Sequence, residues 1–416
     1  MKLKLKFSFF IFLLIASSLN IPDTADAEAN KSEENKFVLG NENLILKNSG
    51  YLENKNIALV TNKSGVTSDG TLFLDVLNKK FSVNKIFTPE HGLRTDDNND
   101  DFTDSETGIR VISLYGNKKK PSQIDLEGTD VIVYDLQDAG ARFYTFINTM
   151  YYCMESAAEN NKKFIVCDRP VIPYGNYTDG FLLDQDITSF VGMINVPAAY
   201  GMTCGELAGY LNSEYFDGKC NLFVSEMDNY NHETEYLSLN LPWIKPSPNM
   251  YYPSSAVCYL GTCLFEGTNF SEGRGTERPF EFVGAPYCDG ELLSNEMKSY
   301  NLSGVRFESI SFTPETVTSP SNPPKYVGES CGGVFINVTD KKSFEPLKAA
   351  VALLISLNKL FPEFEFKKNN FIDKLAGTKN LRLMIVNGRS LNEITESYAG
   401  SLEEFRIKRK KYLLYN

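Results

Sequence analysis

The sequence predicts an α/β protein: a doubly wound, mostly parallel sheet domain followed by a smaller α+β C-terminal domain. Three observations predict it. Short Val- and Ile-rich runs recur with little polar alternation, as strands buried on both faces require. Helical patterns separate these runs, as crossover connections require. After about residue 255 the remainder is a shorter mixture of one strand-like run, one apolar helix and a charged tail.

In chain order, the first segment is MKLKLKFSFFIFLLIASSLNIPDTADAEAN, with lysines, an apolar run from Phe7 to Ala16 and a small-residue site at Ala25-Asp26-Ala27. That is the layout of a secretory signal peptide over residues 1–27, and the apolar run is too short to span a bilayer. NIALVTN at 56–62 reads as a strand, FLDVLNKKF at 73–81 as a helix, KIFTPEHG at 85–92 as a strand and DVIVYDLQD at 130–138 as another. FYTFINTMYYCMESAAENN at 143–161 is a long helix and KFIVCDRP at 163–170 a further strand. MTCGELAGYLNSEYF at 202–216 is an amphipathic helix with Thr203 as N-cap and Glu206 in the capping-box position. CNLFVSEMDNY supplies one more strand, and LPWIKPSPNMYYPSS, rich in Pro, Ser and Asn, is a linker or a binding loop. The domains are therefore placed at 28–255 and 256–416, the second holding the strand-like GGVFINVTD and the helix PLKAAVALLISLNKLF.

Composition narrows the function. With 42% hydrophobic residues in 416 the chain can bury a large core, and a net charge of −11 argues against nucleic acid as a partner. Once the leader is removed nothing calls for a membrane. The eight cysteines lie between Cys153 and Cys331; an exported chain can pair them, but Cys167 within FIVCD and Cys204 at a helix start suit small buried thiols better. With two histidines and no CxxC, no metal site is expected. No GxGxxG or phosphate-binding loop is present, so no nucleotide cofactor is expected either.

Polar loops follow the carboxyl ends of three strands: PEHG, DLQDAGARFY and DRP, and in a parallel sheet they should meet on one edge. Glu90 beside His91 has the parts for proton transfer; the plainer reading is a helix cap next to a packing histidine. Asp135, Gln137, Asp138, Arg142 and Tyr144 supply donors and acceptors for several hydroxyls, or they make a turn in which Arg142 pairs with Asp135. The third cluster is FSEGRGTERPFE at 270–281, where Glu272, Arg274, Glu277, Arg278 and Glu281 crowd together between apolar flanks. Such charges are held down only if they pair or meet a polar ligand, and otherwise form a solvated loop.

VTNKSGV, FTPEHGLR, ISLYG, YDLQDAGARFYTFINTM, CDRP, YGMTCGELA, PSPNM, GTCLFEGTNFSEGRGTERPFEFVGAP, KYVGESCGGVFINVTD and LAGT occur in this order. Together they resemble the exo-β-N-acetylmuramidases of the NamZ family, from about Asn41 to the C-terminus. The resemblance implies a secreted or periplasmic glycoside hydrolase that removes N-acetylmuramic acid from the non-reducing end of peptidoglycan fragments, in a cleft between a Rossmann-like domain and a smaller one. It makes Glu90 the leading catalytic carboxylate, with a partner sought among Asp138, Glu272, Glu277 and Glu281, foremost Asp138 and Glu277. His91, Asp135, Gln137, Arg142, Tyr144, Asp168, Arg169, Glu272, Arg274, Arg278 and Glu281 become candidate saccharide contacts. Arg142, Arg274 and Arg278 are the expected holders of the lactyl carboxylate, and 271–281 is the expected clamp over the sugar. The chain departs from the family pattern at VIPYGNYTDG after DRP and at Tyr200, where the family has histidine. A saccharide-binding protein without turnover, or a hydrolase of another N-acetylated sugar, are the alternative readings. Whether the anomeric configuration is retained or inverted depends on a carboxylate spacing that sequence does not carry.

Overall fold

A large sheet is built by β1 (Asn56–Thr61), β2 (Ser82–Thr88), β3 (Phe102–Thr103), β4 (Arg110–Ser113), β5 (Val131–Asp135), β6 (Lys163–Cys167) and β7 (Asn221–Ser225). The computed structural model describes residues 36–95, 100–172, 175–317 and 323–415, so the expected signal peptide at 1–27 lies outside the described residues. The strand order is β3-β4-β2-β1-β5-β6-β7, and every pair is parallel except β3 with β4. The near-continuous apolar runs explain the central position of β1 and β5: all five residues of β5 are buried, as are five of the six in β1. From β1 the chain moves outward to β2 on one side, and β5 begins the other side. The order therefore reverses beside β1, the place where an open parallel sheet forms its crevice.

Helices α1 (Gly40–Leu46), α2 (Phe73–Asn78), α3 (Phe146–Glu159) and α4 (Cys204–Glu214) belong to this part of the chain. The predicted cap of α4 is present: Thr203 accepts from the Glu206 amide, and the Glu206 carboxylate accepts from the Thr203 amide at 2.9 Å. The short strands β3 and β4, lacking a long apolar run, were not foreseen.

The second part holds α5 (Pro253–Thr262), a 3₁₀ turn over Cys263–Gly267, and an antiparallel sheet in the order β8 (Phe282–Ala285), β10 (Cys331–Val338), β9 (Val305–Phe312). Helices α6 (Gly290–Lys298), α7 (Pro346–Leu360), α8 (Phe371–Ala376), α9 (Asn380–Val386) and α10 (Leu391–Arg409) complete it. The expected charged tail is instead the 19-residue α10, opened by a Ser390–Glu393 capping box. Its buried residues Leu391, Ile394, Tyr398, Leu402 and Phe405 recur at three- and four-residue spacing, so an apolar stripe was hidden among its charges. One continuous hydrophobic cluster runs from Ala58 and Val60 in β1 through Tyr259 and Leu260 in α5 to Leu402 and Phe405 in α10. Phe37–Asn416 is accordingly a single compact unit. All eight cysteines are buried and unpaired.

Candidate active site

At the carboxyl edge of the large sheet lies a cavity of about 280 Å³. The loop after β2 brings Glu90 and His91 to it, the turn after β4 brings Tyr115, and the segment between β5 and α3 brings Tyr144 and Thr145. Ser247, Asn249 and Met250 come from the Pro/Ser/Asn-rich segment, which therefore lines the cavity. The second part of the chain contributes Tyr259, Cys263 and Glu266, with Arg274 and Phe280; Phe371 and Leu375 come from α8. The Tyr115 hydroxyl is hydrogen-bonded to the Glu90 carboxylate, and burial together with that carboxylate holds the phenol well above its ordinary range. Tyr115 is thus a fixed hydrogen-bond donor to Glu90. The Tyr144 hydroxyl donates to the Pro246 carbonyl at 2.8 Å.

Backbone strain is concentrated here. Among the described residues, ten non-glycine residues have positive φ, and seven of them are Asn or Asp, which tolerate the left-handed region. Two of the three exceptions, His91 at φ 79° and Phe280 at φ 68°, line the cavity. Bulky residues in that region cost of order 1–3 kcal/mol each and persist where surrounding contacts impose them.

The 270–281 segment does not arch over the cavity as a clamp. Glu272 is 2% exposed, accepts from the Lys325 ammonium at 2.7 Å and is ion-paired with Arg274, whose Nε lies 3.0 Å away. Lys325 also donates to the carbonyls of Phe265 and Phe270. Glu281 is buried and accepts from Ser254, Ser255 and Arg278. Arg278 stacks on Tyr252, 4.7 Å from the ring centroid, and does not line the cavity. Glu277 is exposed and outside the cavity, so its expected catalytic role has no geometric support. Of this stretch only Arg274 and Phe280 reach the lining, Arg274 lying 5.0 Å from the Phe280 ring centroid and hydrogen-bonded to Glu266. Its guanidinium is held well above the ordinary arginine range by Glu266 and Glu272, against the effect of burial. Glu266, Tyr115 and Asn249 were missed as site residues. The available signal was Glu266 itself, a lone carboxylate in the apolar run CLFEG, since an almost buried charge must be paired or used.

The remaining candidates form a framework beneath the cavity. Asp135 pairs with Arg169, not with Arg142, through two contacts of 2.6 and 2.9 Å, all buried. Gln137 donates to the carbonyls of Asp138 and Pro170, so the DLQD and DRP loops do meet on one edge. Asp168 accepts from Thr203, the Gly205 amide and Tyr415. Arg142 is fully buried and donates to the carbonyls of Phe181, Val196 and Leu375 at 2.7, 2.7 and 3.2 Å. Neither Arg142 nor Arg278 is placed to hold a sugar carboxylate. Among the described residues no group of three or more His, Cys, Asp or Glu is placed to hold a metal ion.

Asp138 does not line the cavity either; its carboxylate accepts from the Tyr200 hydroxyl and from the Gly140 amide. Gly140, at φ 68°, makes the turn, and a Cβ there would lie 2.9 Å from the Ile172 carbonyl oxygen. Burial pushes Asp138 up to about 6, with the Tyr200 hydrogen bond opposing. The folded carboxyl therefore holds its proton to higher pH than the unfolded one, and the stability it contributes, full below about pH 4, is lost as pH rises through about 6. Asp138→Asn should therefore flatten the fall in urea midpoint between acidic and neutral pH, by up to ~3 kcal/mol at neutrality. A variant with the parent's pH dependence would show that the acidity of Asp138 is not linked to folding.

Comparison with known proteins supplies the family context. Residues 57–254 match the model described as exo-β-N-acetylmuramidase NamZ, N-terminal, and residues 257–415 the corresponding C-terminal model. The chain is 39% identical over 412 residues, 97% of each chain, to the peptidoglycan β-N-acetylmuramidase NamZ of Bacillus subtilis strain 168. Two crystal structures of DUF1343-family proteins from Bacteroides fragilis share the fold. One superposes with a TM-score of 0.85 at 31% identity, covering 92% of this chain and all of the other. The second gives 0.75 at 35% identity, covering 92% of this chain and 99% of the other.

Proposed function

The chain belongs to the exo-β-N-acetylmuramidase NamZ family, and from that premise we propose that it is an exo-acting glycoside hydrolase that releases N-acetylmuramic acid from the non-reducing end of peptidoglycan fragments, with Glu90 as the proton donor. The observation that carries the proposed chemistry is the partly buried Glu90 carboxylate, fixed by Tyr115 in a cavity at the reversal point of the parallel sheet. A volume of about 280 Å³ is at the small end for ligand sites, which run to ~1,000 Å³, and suits one terminal ring better than an internal stretch of glycan. In the proposed reaction Glu90 protonates the glycosidic oxygen as its bond to the anomeric carbon breaks, and water completes the hydrolysis.

A muramic acid glycoside differs from the N-acetylglucosamine glycoside only by its lactyl ether. With 4-nitrophenyl glycosides of each, release of nitrophenolate from the muramic compound at least ~10² faster, measured as kcat/KM, is the expected result. Equal rates would assign the site to N-acetylated sugars in general, and binding without release from either would make the protein a receptor. Export rests on residues 1–27, whose basic start, apolar run and Ala-Asp-Ala site suit a cleaved leader and a substrate outside the membrane.

A further inference from the structure

Most glycoside hydrolases use two carboxyl groups that flank the scissile bond. Among the described residues, Glu90 and Glu266 are the carboxylates that line the cavity, and they arrive on different parts of the fold: Glu90 after β2, Glu266 on the 3₁₀ turn that follows α5. Glu266 is 8% exposed and rests on a rigid support. Arg274 donates to its carboxylate through Nη2, Glu272 lies 3.0 Å from Nε of the same guanidinium, and Lys325 fixes Glu272. Phe280, in a strained left-handed conformation, places its ring beside the Arg274 guanidinium. The charge-rich 271–281 segment thus has a use other than covering the sugar: it fixes one arginine against one cavity carboxylate.

We propose that Glu266 is the second catalytic carboxylate, the base that takes a proton from the attacking water; this rests on the hydrolase reading above. As the water oxygen closes its electron pair onto the anomeric carbon, one water proton passes to Glu266. The anomeric bond to the aglycone oxygen breaks, its electron pair stays with that oxygen, and the oxygen takes the proton carried by Glu90. Glu266 ends protonated and Glu90 ionised, and exchange with solvent restores both.

The two roles differ in their dependence on the leaving group, because nitrophenolate departs without a proton whereas a sugar alkoxide does not. Glu266→Gln should lose about 10²–10⁴ in kcat on both the 4-nitrophenyl glycoside and the N-acetylmuramyl-N-acetylglucosamine disaccharide. A loss confined to the disaccharide would overturn the assignment, since that pattern belongs to a proton donor. Azide added to Glu266→Ala should restore turnover of the nitrophenyl compound and yield the α-glycosyl azide, an outcome that a merely structural role would not produce; hydrolysis alone, without azide product, would count against it. If the neutral variants fail to fold, Glu266→Asp keeps the charge while withdrawing it by one methylene, and should lose more than tenfold in kcat with native near-ultraviolet circular dichroism. Unchanged kcat in that variant would also overturn the proposal. Failure of the unmodified protein to cleave either substrate would be a failure of the hydrolase reading, not of this assignment.

Discussion

A Glu90→Gln protein is expected to lose about 10³-fold in kcat/KM on the disaccharide while losing much less on the 4-nitrophenyl glycoside. Glutamine preserves the shape and can still accept from Tyr115, so the hydrogen bond that positions the side chain survives. What it lacks is a transferable proton. The disaccharide leaves as an alkoxide unless protonated, so the whole contribution of general acid catalysis appears in that substrate, typically 10²–10⁴-fold. Burial of Glu90 is only partial, so the neutral replacement should not destabilise the fold. Assay of both substrates on one preparation, with melting temperature as a control, checks the expectation. Full turnover of the disaccharide would remove Glu90 from the chemistry.

Arg142→Met is expected to lower the free energy of unfolding by about 3–5 kcal/mol, with no change in the preference between muramic acid and N-acetylglucosamine glycosides. The guanidinium joins three carbonyls from separate segments: Phe181 and Val196 in the long loop between β6 and α4, and Leu375 in α8. Gly377, at φ 76°, packs so closely that a Cβ there would sit 2.3 Å from Nη2 of Arg142. Burial pulls the guanidinium down to about 9, Asp184 opposing, which is the signature of a charge kept for its hydrogen bonds. Methionine fills comparable length but leaves three buried acceptors without donors. Urea denaturation measures the loss; a shift in sugar preference at unchanged stability would instead return Arg142 to the substrate.

The sequence carried the sheet and its loaded edge. β1, β2, β5, β6 and β7 declared themselves by apolar runs, and PEHG and DLQDAGARFY by their places after them. The assignment of charged residues to roles was less legible, for a physical reason. An arginine next to aspartates in sequence looks the same whether it faces a ligand or a backbone carbonyl, and Arg142, Arg169 and Arg278 all proved to hold protein groups. Partner choice is decided by contacts distant in the chain, such as Arg142 with Leu375 or Asp168 with Tyr415. Glu266 was overlooked for the opposite reason, because apolar neighbours made its segment look like simple core.

The apolar cluster that runs unbroken from β1 to α10 has one more bearing on how the protein handles a ligand. Two lobes that share one interior have no greasy seam along which to rock, and rocking would tear close-packed side chains apart. The proposed sugar recess is therefore expected to be preorganised, shaped during folding and not by one lobe closing on the other.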